Sequence, residues 1–280
     1  MAISVLTNVA SLNAQRNLSA TQKALSDSIG KLSSGMRINK AGDDAAGLGI
    51  SENLKANIRS ISQAQRNAND GISMSQVAEG AMNEMHGIVS RMRELAVQSA
   101  NSTLGTNERG YIQTEFTQLS AEINRIGAVT EFSGQKLLDG SASTGLTFQV
   151  GIFNSANDRI AMSITKLDTA TLGSTSQHIS AASLSTVAKA QTAIAVFDKA
   201  IQQLSQSRAK VGASQNRMQV TVSNLASSYE NLSAANSRIR DVDVAEETAN
   251  MTKSQILSQA GLAVLAQANQ LPQSALSLLR

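Results

Sequence analysis

Apolar residues recur along most of the chain at alternating steps of four and three, the spacing of a helix that buries a single stripe. The first half carries three such stretches. One runs through Leu18, Leu25, Ile29, Leu32 and Met36. A second passes Leu54, Ile58, Ile61, Ala68 and Ile72 and resumes at Ala78, Met82, Met85, Val89, Met92 and Ala96; a third passes Ile112, Phe116, Leu119, Ile123 and Ile126. The second half holds one longer stripe, through Val187, Ala190, Ile194, Phe197, Ile201, Leu204, Val211, Met218, Val222, Leu225, Tyr229, Leu232 and Ile239, broken only at Arg208, Gln215 and Asn236. A helix of that length extends on the order of 80 Å and demands long antiparallel neighbours, which the second and third stretches can supply. The expected fold is mainly α: a long antiparallel helical bundle or coiled coil.

The helical period fails across 131–166. There Gly134, Gly140, Gly145 and Gly151 punctuate short alternating segments at 146–150 and 159–164, which read as a small β-hairpin region. The following stretch, 168–185, is rich in Thr, Ser and Gly and is expected to be a surface connection. With its non-helical part near the middle, the chain folds back on itself and pairs its N- and C-terminal halves. Positions 1–15 and 254–279 contain no charged residue yet keep apolar spacing. In the tail that spacing is a seven-residue repeat, Leu257, Val264, Leu271 and Leu278, with Ile256, Leu262, Leu265 and Leu279 off the seam. Apolar surface on more than one side suits packing against further copies.

Composition narrows the chemistry. The 280 residues include no Cys, no Trp, one Pro and only His86 and His178, so a thiol nucleophile, a disulfide scaffold and a Cys- or His-based metal site have no basis. Charged residues make up 16%, against about 25% in globular chains. Net charge is +3, but the 24 Lys and Arg are scattered singly among 21 acids, which gives nucleic-acid binding no support. No apolar run reaches the length of about 18 residues that spans a bilayer, and the start of the chain lacks the pattern of a Sec signal peptide. No cofactor loop is recognisable, and no enzyme activity is expected.

Two acidic clusters read as capping. Asp241, Asp243, Glu246 and Glu247 precede the apolar tail, and Asp243 followed three residues later by Glu246 has the form of a capping box. Asp43 and Asp44 lie in a Gly-rich break before the second stripe and read as a turn and helix start. His86 and His178 have no acid or nucleophile placed to form a triad, and both are expected to be solvated. Arg91, Arg93 and Glu94 form a charged face beside the Met stripe.

Over nearly its whole length the chain resembles bacterial flagellin. The N-terminal resemblance rests on Ser11-Leu-Asn-Ala-Gln-Arg-Asn17, Lys31-Leu-Ser-Ser-Gly-Met-Arg-Ile-Asn39, Ala41-Gly-Asp-Asp-Ala-Ala-Gly-Leu48 and Arg93-Glu-Leu-Ala-Val-Gln-Ser-Ala-Asn-Ser102. The C-terminal resemblance rests on Gly212-Ala-Ser-Gln-Asn-Arg217, Ser237-Arg-Ile-Arg-Asp-Val-Asp243 and Leu276-Ser-Leu-Leu-Arg280. Only the short 168–185 connection stands where large outer domains are inserted in other members, so the resemblance is to a short form.

The resemblance implies two domains. Residues 1–44 and 240–280 would form a terminal coiled-coil domain, the filament core, and 45–239 a rod-like helical domain carrying the hairpins at 131–166. The implied function is a structural subunit that self-assembles into the extracellular flagellar filament after secretion through the flagellar type III apparatus. The alternative is a hook–filament junction protein of the same family. Implied partners are further copies of the chain, an export chaperone, the filament cap and hook-junction proteins, with no nucleic acid and no membrane insertion. The family also implies an innate-receptor face for Toll-like receptor 5 at Arg91, Leu95 and Glu115, and a second sensing system that reads Leu276, Leu278 and Leu279. Leu257, Val264, Leu271 and Leu278 are the expected polymerisation and C-terminal core positions.

Overall fold

The computed structural model describes residues 7–174 and 177–277, the side chains of 271–277 excepted. Five α-helices, α1 (Val9–Ser34), α2 (Ala45–Ser99), α3 (Thr106–Val129), α4 (Val187–Arg240) and α5 (Val244–Ser277), account for most of them. Two antiparallel hairpins lie between α3 and α4. The chain divides into two compact units, one made of residues up to Ile58 with those from Glu230 onward, the other of Arg59–Tyr229.

In the first unit α1 and α5 run antiparallel, closer to one another than any other helix pair. Asn8 opens α1 by accepting the Ser11 amide on its side-chain oxygen, and its Nδ2 donates to the Ala268 carbonyl at 2.8 Å. Gly35, left-handed at φ 71°, ends the helix. On α1 a line of shielded positions runs through Ser11, Ala14, Leu18, Thr21, Leu25, Ser28 and Leu32; on α5 one runs through Glu247, Met251, Ser254, Ser258, Gly261, Leu265 and Ala268. Both lines step by three and four, so each is a coiled-coil seam, but one built largely of small residues. Close backbone approach follows: a Cβ on Gly261 would stand 3.3 Å from Leu18 Cδ1.

On α1 the seam keeps Leu18, Leu25 and Leu32 of the expected stripe and leaves out Ile29, 50% exposed; on α5 it differs, since Leu257 and Val264, the expected C-terminal core positions, are 50% and 56% exposed, whereas Leu265 belongs to the seam. On α5 the repeat of large residues and the repeat through Ser254, Ser258 and Gly261 share a period, and the smaller one faces α1 because it lets the backbones come together. Leu271 lies in α5 with its side chain outside the described residues, and Leu278 lies outside them altogether.

The second unit has the conventional core. Met82, Met85, Val89, Met92 and Leu95 of α2 pack with Ile112, Phe116 and Ile123 of α3 and with Ala193, Phe197, Ala200 and Leu204 of α4. The Phe116 and Phe197 rings meet at 5.8 Å between centroids. β1 (Glu131–Phe132) pairs with β2 (Gln135–Lys136) across a turn whose Ser133 and Gly134 both have positive φ, 50° and 80°, as a two-residue hairpin turn requires. β3 (Leu146–Gln149) pairs with β4 (Arg159–Met162); in β4, Ile160 and Met162 turn inward while Arg159 and Ala161 face out.

The 168–185 segment is not the surface connection that its composition suggested. Thr169, Leu172, Ile179, Ala182 and Leu184 are all buried. Helix side chains tie its backbone down: Asn124 Oδ1 accepts the Thr169 amide, Gln113 Oε1 that of Leu184 at 2.6 Å, and Gln203 Oε1 that of Gly173 at 2.9 Å. Ser99 Oγ donates to the Leu184 carbonyl at 2.6 Å. Buried backbone that belongs to no helix or sheet needs such partners. His178 and His86, expected to be solvated, are each partly buried.

Candidate assembly surfaces

Few polar groups in the first unit are arranged for chemistry. Its notable feature is exposed apolar side chains: Val9, Leu12 and Ile29 on α1, and Val244, Ile256, Leu257, Leu262 and Val264 on α5, each half exposed or more. Leaving so many large aliphatic groups half in water forgoes roughly 1–1.5 kcal/mol apiece, an arrangement sensible only where something else covers them. The seam of small residues in turn buries little apolar area.

The base of the helix pair is closed by a clasp. The Arg37 amide donates to the Arg240 carbonyl at 2.7 Å, the Val242 amide to the Gly35 carbonyl at 3.1 Å, and Met36 forms a β-bridge with Asp241. Arg240 inserts its guanidinium here, pairing with Glu52 and donating from Nε to Met36 Sδ at 3.1 Å. Arg37 reaches the Ile239 carbonyl at 2.6 Å. These contacts explain why the Lys31–Asn39 and Ser237–Asp243 motifs pair basic residues with loop glycine and aspartate.

Beyond the clasp, Asp243 caps α5. Its Oδ1 accepts the Ala245 amide at 2.9 Å and the Glu246 amide at 3.2 Å, and Glu246 and Glu247 occupy the first turn. Asp43 Oδ2 accepts the amides of Asn39 and Lys40, two backbone bonds that hold its carboxyl below the usual aspartate value. Asp44 Oδ1 accepts the Gly47 amide at 2.9 Å at the start of α2. Among the described residues no three His, Asp or Glu side chains stand together to hold a metal ion, and no helix is long and apolar enough to cross a membrane.

In the second unit Arg91 links α2 to α3. Its guanidinium donates to Glu115 Oε1 at 2.9–3.0 Å and to Glu94 Oε2 at 3.1 Å, and these two carboxylates, Glu115 first, raise its pKa further. Arg93 pairs across to Asp198 of α4 at 2.6 Å. Leu95 departs from expectation: at 1% exposure it is a core residue, so only Arg91 and Glu115 of the expected receptor face present side chains to solvent. On a helix with period 3.6, position 95 stands about 40° from position 91, enough to turn it from surface to core. Leu276 lies in α5 with its side chain outside the described residues, and Leu278 and Leu279 are outside them.

Residues 5–143 match the family described as the bacterial flagellin N-terminal helical region, and residues 194–279 match its C-terminal helical region. The chain belongs to the bacterial flagellin family. It is 46% identical over 273 residues to a flagellin of Halalkalibacterium halodurans, covering 98% of both chains. It is 43% identical over 283 residues to the flagellar filament 33 kDa core protein of Treponema phagedenis, again covering 98% of each. A solved flagellar hook-associated protein of Vibrio parahaemolyticus shares the fold, with a TM-score of 0.60 and 13% identity over 71% of this chain and all of the other. Among flagellins this is a short form without large outer domains. The family is structural and non-enzymatic.

Three features escaped sequence reasoning. The small-residue seam was hidden because Ser, Ala and Gly carry little hydropathic signal. The Arg240–Glu52 pair spans 188 positions in sequence and has no local spacing to betray it. The amide anchors Gln113, Asn124 and Gln203 look like ordinary helix-surface residues.

Proposed function

We propose that this flagellin is the structural subunit of an extracellular flagellar filament and that α1 and α5 form its polymerising core. The observation that carries the reading is the set of exposed aliphatic side chains Ile256, Leu257, Leu262 and Val264, on more than one side of a helix whose own partner occupies a different, small-residue stripe. Those side chains gain their burial from neighbouring copies. Head-to-tail contacts between identical subunits that do not close on themselves generate a filament. Residues 1–44 and 240–280 serve as the filament core, 45–239 as the surrounding rod.

The chain travels through the flagellar type III apparatus, with an export chaperone shielding the C-terminal segment, and assembles beneath the filament cap onto the hook-junction proteins. The identity to named flagellins and flagellar filament core proteins supports the filament over the junction reading. In an animal host the Arg91–Glu115 pair forms the contact face for Toll-like receptor 5, with Leu95 acting from beneath by seating α2 against the core, and Leu276, Leu278 and Leu279 form the C-terminal signal.

Purified protein added to short filament seeds from the same organism, followed by electron microscopy, tests the reading. Seeds are expected to lengthen in proportion to added protein. Failure to elongate them across a range of salt conditions would overturn it.

A further inference from the structure

Between Asp198 and Glu230, α4 carries no acidic residue but four cations: Lys199, Arg208, Lys210 and Arg217. Arg208 turns back to pair with Glu79. The other three behave differently. At about 100° per residue, Lys199, Lys210 and Arg217 fall within about 20° of one line, roughly 16 Å and then 10 Å apart along the axis. All three are exposed, and none takes part in an ion pair among the described residues. Lys199 donates only to Gln202, at 3.3 Å. Asp158 lines the groove beside Arg217 and accepts a hydrogen bond from Ser155 Oγ.

A polar cleft of about 350 Å3 opens beside the middle cation. Thr165, Lys166, Thr171, Gln203, Gln206 and Lys210 line its polar side above Leu167 and Leu172, with the Lys166 ammonium and the Thr171 hydroxyl engaged by Asp168 at its edge. Gln203 commits its Oε1 to the Gly173 amide, so its NH2 group is the end left to donate. The Lys210 ammonium and the amide groups of Gln203 and Gln206 are the donors that the cleft leaves open. It suits an acceptor-rich ligand bearing carboxylate or sulfate.

We propose that the outer line of α4, Lys199, Lys210 and Arg217, with the cleft beside Lys210, is a binding surface for a linear acidic polysaccharide. Regularly spaced cations meet the anionic groups of the chain, and the cleft receives one sugar residue through its hydroxyls and acid group. Nucleic acid fits less well. Phe197 is buried, and the line offers no exposed aromatic on which bases could stack.

The test is fluorescence anisotropy with a labelled sulfated uronic-acid octasaccharide and the full-length chain, unseeded, at a series of salt concentrations. K199Q/K210Q/R217Q is expected to weaken binding at least tenfold and to flatten the logarithmic salt dependence by about two to three units of slope, the share of three released counterions. K23Q/K31Q/K253Q, which removes the same charge elsewhere, retains the affinity, as does K199R/K210R. Equal weakening by both triple glutamine variants would overturn the site, since net charge alone would then explain binding. Equal affinity for a labelled thymidine octamer would overturn the polysaccharide assignment, and so would absence of binding at low salt. None of these outcomes depends on filament growth.

Discussion

Replacing Leu95 by Ala separates a core residue from a surface residue. The side chain is 1% exposed and belongs to the cluster that joins α2, α3 and α4. Removing three buried carbons forfeits about 2.4 kcal/mol of transfer free energy at about 0.8 kcal/mol each. A residual cavity, bounded by helices whose spacing is fixed by neighbours such as Phe116 and Phe197, adds to that, so the expected loss is about 3 kcal/mol. With a urea m-value of about 2 kcal/mol/M, the midpoint falls by about 1.5 M. The measurement is urea unfolding followed by circular dichroism at 222 nm, since the chain has no Trp. Val97→Ala, two positions along the same helix at a side chain 51% exposed, serves as the control and should change stability by no more than about 0.5 kcal/mol. Equal, small effects of the two substitutions would refute the placement of Leu95 in the core.

Other outcomes follow from single contacts. Gly127→Ala would bring a Cβ to 2.8 Å from the Leu167 carbonyl oxygen, backbone that cannot swing away, and should cost about 1–3 kcal/mol in the same unfolding assay. Burial of Asp168 opposes its ionisation, but the Lys166 ammonium at 2.8 Å and the Thr171 hydroxyl outweigh that and leave its carboxyl below the ordinary aspartate value. A folded pKa below the unfolded one stabilises the fold above the unfolded value and loses that contribution as pH falls through the folded value; Asp168→Asn should therefore flatten the acid side of a stability-against-pH curve. Gly261→Leu places a large side chain against Leu18 and should block seed elongation while urea unfolding of the Met-rich core stays unchanged. The pair of substitutions Arg91→Ala and Glu115→Ala should lower Toll-like receptor 5 reporter signalling by about tenfold or more with the circular dichroism spectrum retained.

The long helices and the β3–β4 hairpin were legible because large apolar side chains mark their buried faces: Met82, Met85, Val89 and Met92 read as one stripe and form one. Legibility fails where burial is achieved by small or polar residues. Ser254, Ser258 and Gly261 make the α5 seam, while the more conspicuous Leu257 and Val264 point elsewhere. The 168–185 segment hides its anchors Leu172, Ile179 and Leu184 among Thr and Ser, at no regular spacing, since irregular backbone imposes no period. The turn at Asp43 and the caps at Asp44 and Asp243 were readable because such bonds are local, three residues between acceptor and donor. The Arg240 clasp was not, because its partners are brought together only by the antiparallel pairing of chain ends.

Seed elongation by electron microscopy, comparing the full chain with one lacking residues 254–280, tests most directly whether the exposed face of α5 is the assembly surface. The full chain should lengthen seeds, and the truncated chain should leave them at their starting length while its urea transition for Arg59–Tyr229 is retained. Filament growth by the truncated chain at the rate of the full one would contradict the assignment of polymerisation to the terminal helices.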